Sequence, residues 1–314
     1  MFVEEYWVRH LRIRNWTVKS LQFGADGRKL YLLVEHPEQQ SGHFHSACCL
    51  ELSTGGVASE WQLEPCNVAI FSPTLESIFY DCGGDFLTEI HKTDLRTNRD
   101  DQLLQADLMY VDCLAVTPNQ HLVALGGWER IEGELVPSVR RLDAFRGTLL
   151  DSIRTAAKCA AYSPDGQLLA VGGMVAEEHR VDGPLSGVRV WSGRQLLGEF
   201  PPTARLMAWS PDGRLAWGTS GQLNVGRPGI RESLRSWEDE SGEISALAFS
   251  PDGRLLLTST DGGACAFHDP VAGEVRAAFD WGIGPIHSVA FSPDGLTCAA
   301  GGEKGQVVVW DVDA

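Results

Sequence analysis

The sequence predicts an all-β protein of seven repeated units, and three observations carry the expectation. First, the phrase Phe291-Ser292-Pro293-Asp294-Gly295 returns seven times along the chain, intact or eroded. Second, its copies start at residues 23, 71, 116, 162, 209, 249 and 291, so consecutive copies stand 40 to 48 residues apart. That spacing is at or just above the length of a four-stranded propeller blade. Third, residues 3–14 have the pattern of a strand but belong to no unit, whereas the last unit ends one strand short. The expected fold is a seven-bladed β-propeller of four-stranded antiparallel blades, a single domain over residues 1–314, with the N-terminal strand completing the last blade.

Each element has a local reason. The spare strand sets Tyr6, Val8, Leu11 and Ile13 among Arg9, Arg12 and Arg14. In the repeated phrase, Pro fixes φ at one turn position, Asp bonds nearby backbone, and Gly supplies a positive φ, so the phrase closes a hairpin. Phe249 and Phe291 head intact copies, Tyr162 and Trp209 head copies with a changed aromatic, and Phe23, Phe71 and Val116 head worn ones. Before each copy an Ala-containing first strand (Ala115, Ala161, Ala208, Ala248, Ala290) suits close blade contact near a narrow axis. After the last copy come an apolar stretch, a turn, and Val307-Val308-Val309-Trp310-Asp311. Joining the two chain ends in one blade removes the open sheet edges that a gapped ring would expose.

Trp310-Asp311 and His268-Asp269 stand at the same distance from their phrases, while Trp191-Ser192 lies about ten residues later in the fourth unit. With the repeats and the exchanged terminal strand, these residues resemble the WD-repeat β-propeller family over essentially the whole chain. The resemblance implies a platform for protein partners. It is incomplete: the family's Gly-His pair is absent, with Trp281-Gly282 and Asp239-Glu240 in its place in the last two units. The family's buried Asp-His-Ser-Trp network is therefore not expected, and apolar packing that includes Trp191, Trp209, Trp217 and Trp310 must hold the blades.

Composition narrows the function. With 43% hydrophobic and 22% charged residues the chain is an ordinary globular one. Its net charge of −16 repels nucleic acid and anionic membrane surfaces. No apolar run reaches the length of a secretory core or a membrane span, so a cytoplasmic protein without membrane contact is expected. The eight Cys form no CxxC pair and fall mostly in apolar strand patterns, as buried free thiols do.

Candidate site residues lie on what should be the top face, where first strands begin. Four residues before each phrase stands a polar residue: Lys19, Asn67, Asp112, Lys158, Arg205, Ser245 and His287. These would rim the channel mouth. Long connections between second and third strands share the face, at 36–43, 128–138 and 174–187. The last two should form an acidic wall of Glu129, Glu132, Glu134, Glu177, Glu178 and Asp182 beside an exposed Trp128. A basic protein segment is the partner this wall suits, bound by a chain that acts as a monomer or as a subunit of a complex.

Chemistry finds less support. GxSxG, Gly-rich phosphate-loop and HExxH signatures are missing. A propeller-type hydrolase or lyase would need scattered groups such as His287, Asp112 and Asn67 to converge at the axis. His43 and His45 alternate in a strand without further ligands, and Asp81 to Asp85 only loosely resembles a calcium turn. No cofactor or metal is expected.

Overall fold

The computed structural model describes residues 8–36, 44–84, 87–106, 108–173, 187–219, 221–238 and 242–313. Their strands form seven four-stranded antiparallel sheets. Six sheets take their strands in chain order, within residues 17–66, 69–106, 108–153, 159–200, 206–238 and 244–280. First strands of neighbouring blades touch at six of the seven blade junctions, so they line the axis and fourth strands form the rim.

The seventh blade closes the ring as the sequence suggests. Ile286–Phe291, Thr297–Gly302 and Gln306–Asp311 come from the end of the chain, and Val8–Arg12 adds the outermost strand. Val8 faces Trp310 and Arg12 faces Gln306 in an unbroken antiparallel register.

Strand periodicity explains how the ring coheres, because alternate side chains enter opposite interfaces. In the last blade Ala299, Val307 and Val309 pack toward the first blade, while Cys298, Ala300, Val308 and Trp310 pack toward the sixth. Seven apolar clusters result, one at each blade interface. Trp217 and Trp310 are fully buried, whereas Trp191 and Trp209 are half-buried. The indole N–H groups of Trp191, Trp217 and Trp310 have no hydrogen-bond partner among the described residues, so packing holds them. None of the eight Cys is in a disulfide; six are buried, and Cys82 and Cys159 are partly exposed. Burial pushes the Cys48, Cys159 and Cys265 thiols up to about 12.

The repeated phrase makes one turn on the face opposite the channel mouth. Ser292 donates to Asp294 at 2.6 Å and accepts the Thr297 N–H at 3.0 Å, while Asp294 also accepts the Leu296 N–H. Gly295 completes it with φ 74°. Worn copies keep the shape with poorer residues: Leu75 and Gln120 occupy the glycine position at φ 57° and 58°. Among the described residues no helix is long and apolar enough to cross a membrane.

Candidate functional site

The polar ring at the channel mouth has a backbone cause. In four blades the polar residue is skipped by the ladder: Lys19 between Val18 and Ser20, Asp112 between Val111 and Cys113, Ser245 between Ile244 and Ala246, and His287 between Ile286 and Ser288. In two more blades, two residues oppose one. The Lys158 N–H bonds Gly172 O at 2.7 Å while Cys159 faces Gly172, and Arg205 N–H bonds Gly218 O at 3.0 Å while Leu206 faces Gly218. Each is a β-bulge, whose extra residue leaves the ladder and re-aims its side chain. Asn67 is held differently: its amide donates to Asp81 at 3.1 Å, and Asp81 also accepts the Val68 N–H at 2.7 Å. Burial raises the Asp81 carboxyl above its ordinary range, and this carboxyl serves the local backbone rather than a calcium turn.

Charges on the ring are paired. Lys19 meets Glu35 at 2.9 Å, Lys158 meets Asp112 at 2.6 Å, and Arg205 meets Glu243 at 2.7 Å. The last two pairs link neighbouring blades. Ser245 bonds Ser259 at 3.0 Å. His287 is half-buried, and burial together with the charge of Lys19 holds its imidazole below the ordinary range, against the opposing pull of Glu303 and Glu35. No hydrogen bond joins His287, Asp112 and Asn67, and among the described residues no group of three or more His, Cys, Asp or Glu is placed to hold a metal.

The 128–138 connection differs from the expected loop. It is an extension of the blade, with Leu122–Ile131 and Glu134–Asp143 paired residue for residue up to a two-residue turn at Glu132 and Gly133. Positive φ at both, 51° and 93°, suits such a hairpin. The strand leaves Trp128 half-buried rather than exposed, its indole N–H donating to Asp112 at 3.0 Å. Glu129 is not part of an exposed wall either; it is buried against Arg140 at 2.6 Å. Glu132 and Glu134 remain exposed at the tip. Glu177, Glu178 and Asp182 lie outside the described residues, as do His43, the His45 side chain, Asp85 and most of the 36–43 connection.

Close approach of the blades rests on paired glycines in the second strands. A Cβ on Gly302 would stand 2.3 Å from the Pro285 carbonyl oxygen, and one on Gly301 2.6 Å from Val18 of the next blade. Gly-Gly at 126–127 and 172–173 has the same offset from its phrase, a signal present in the sequence.

Comparison with known proteins agrees with this geometry. The model of the family described as WD domain, G-beta repeat matches residues 231–268 and 282–311. A Schistosoma mansoni WD repeat-containing protein, SL1-17, is 32% identical over 114 residues, which are 36% of this chain and 38% of the relative. A guanine nucleotide-binding protein subunit beta of Oryza sativa subsp. indica is 29% identical over 25% of this chain and 23% of its own length. A serine-threonine kinase receptor-associated protein of Gallus gallus is 26% identical over 43% of this chain and 45% of its own. Each match covers less than half of the relative. Matched repeats lie in the fifth to seventh blades, and the remaining blades share their strand order: the chain is a seven-bladed β-propeller that carries WD repeats.

Proposed function

We propose that the chain is a non-catalytic, cytoplasmic platform, one domain over residues 1–314, whose top face binds a basic protein segment. The observation that carries this is the bulge ring, in which a backbone device recurs around the channel mouth to present polar side chains there. WD-repeat relatives support a protein-interaction scaffold in general.

Charge selects the partner. The ring's three cations are already neutralised by carboxylates. Among the described residues Glu132, Glu134, Glu238, Asp261, Asp280 and Glu303 have no ion pair, and on this face they outnumber the unpaired Arg12, Arg130, Arg154 and Lys304. A basic segment would enter along Lys19, Asp112, Lys158, Arg205 and His287, with Trp128, Glu129, Glu132 and Glu134 on one side and with Glu177 and Glu178 of the next unit's 174–187 connection. Its association should slow as salt rises, because exposed charges steer encounter over about 8 Å at physiological ionic strength.

The test replaces Trp128 with Ala and both Glu132 and Glu134 with Lys, confirms folding by circular dichroism, and compares partner capture with the wild type. Truncating a half-buried aromatic anchor should cost about 2 kcal/mol of binding. Retention of every partner by this variant, with loss in an Arg254→Glu, Arg276→Glu variant of the opposite face, would refute the reading.

A further inference from the structure

The outer strands of the blades are not alike. In six blades the fourth strand carries a register break against the third: Cys49/Leu50, Ile90/His91, Arg141/Leu142, Val190/Trp191, Val225/Arg227 and Phe267/His268 mark the sites on the third strands. Such bulges twist an exposed edge and spoil it as a template for further strands. Val8–Arg12, the outer strand of the seventh blade, pairs without any break.

Its charge is also distinct. Every other outer strand contains at least one Asp or Glu, whereas Val8–Arg12 carries Arg9, His10 and Arg12 and no acidic residue, in a chain of net charge −16. Ile13 donates its N–H to Gly305 O at 3.0 Å. Alternation along an antiparallel ladder then turns the N–H and C=O of Val8, His10 and Arg12 outward. His10 and Arg12 are exposed, and neither has an ion pair among the described residues. Cavities flank the strand on both sides: one of about 230 Å³ lined by His10, Arg12 and Ile283, and one of about 570 Å³ lined by Arg9, Arg28, Glu51 and Ser53.

We propose that this edge is a docking site for an acidic, extended segment of a partner protein, which adds as a fifth strand to the seventh blade. Outward backbone groups supply the ladder. Alternate side chains of the added strand would meet His10 and Arg12 on one side, where carboxylates are the complement, and on the other Arg9 and Arg28, whose two cations outnumber the one carboxylate there, Glu51. A second copy of this chain is the wrong occupant, because it would set Arg and His against Arg and His, and like charges directly opposite destabilise a strand pair. The site is separate from the top face and stands without it.

The probe is a fluorescein-labelled peptide of about ten residues, Glu interspersed with Val and Thr, long enough to span the strand. Controls replace its Glu with Lys, or methylate alternate backbone nitrogens to block pairing. Anisotropy titrations use the full chain, and His10→Glu with Arg12→Glu, two exposed positions where the fold tolerates change. The acidic peptide should bind at least about ten-fold more tightly than the Lys peptide, and lose at least about ten-fold on either N-methylation or the double substitution. Amide exchange at Val8, His10 and Arg12 should slow in the complex. Equal binding of the acidic and Lys peptides overturns the proposal, and so does acidic binding indifferent to N-methylation or to the double substitution.

Discussion

At the scale of single residues, the turn aspartates show how one side chain serves structure in a place that invites a functional reading. Asp165, Asp252 and Asp294 are repeated carboxylates on one face, yet each is saturated by a Ser hydroxyl two residues earlier and a backbone N–H two residues later. Those bonds, the Ser hydroxyl first, hold all three below the ordinary carboxylate range. Asp269 is held lower still, at about 2, by the Ala272 N–H and then by Arg276. A folded value below the unfolded one means the stabilisation is complete above the unfolded pKa, near ~4, and is lost as pH falls through the folded value. Melting temperature should therefore stay level from neutral pH to about 5 and drop between about 4 and 2. Replacing Asp165, Asp252 and Asp294 with Asn should flatten that acid limb, and calorimetry across the range checks it. The sequence made these turns legible because Ser, Pro, Asp and Gly each have one geometric job. It hid the worn copies' strain, since nothing in Leu75 or Gln120 announces a positive φ.

At the scale of elements, the polar ring and the long hairpin separate what pattern can show from what only pairing can. A polar residue four positions before every phrase was visible as periodicity, but a bulge is a relation between two strands, and one strand does not reveal that its partner skips a residue. The same limit applies to 128–138, where Trp128, Glu129 and Pro137 break the usual strand composition and suggest a loop, although tight pairing with a Glu132-Gly133 turn makes it sheet. Edge position explains Pro137: Val139 is the first residue of its strand to pair with the fourth strand, so Pro137 needs no donor on that side. The bulge account predicts a tolerated deletion. Removing His287 leaves Ile286 opposite Gly302 and Ser288 opposite Gly301, a continuous ladder in which Ile286 keeps its buried side. The deleted chain should melt in one transition within about 5 °C of the wild type while losing a rim group. Failure to fold would show that the extra residue does more than re-aim a side chain.

At the scale of the whole molecule, the ring is a closed series of seven interfaces, each filled by alternate residues of two neighbouring blades. No blade has a core of its own, so the platform is rigid only while the series is unbroken. The repeat count and the unpaired first strand gave away closure, because a unit that ends one strand short and a strand without a unit have one economical solution. Both proposed surfaces depend on that solution, the top face through the shape of the ring and the basic edge because it is the closing strand itself. Closure buries Leu11 and Ile13 among Val18, Leu50 and Val307. The most direct test is scanning calorimetry of the chain without residues 1–14. Loss of the closing strand should lower the melting temperature by about 5 °C or more and broaden or split the single transition. A single transition at the wild-type temperature would contradict closure by this strand.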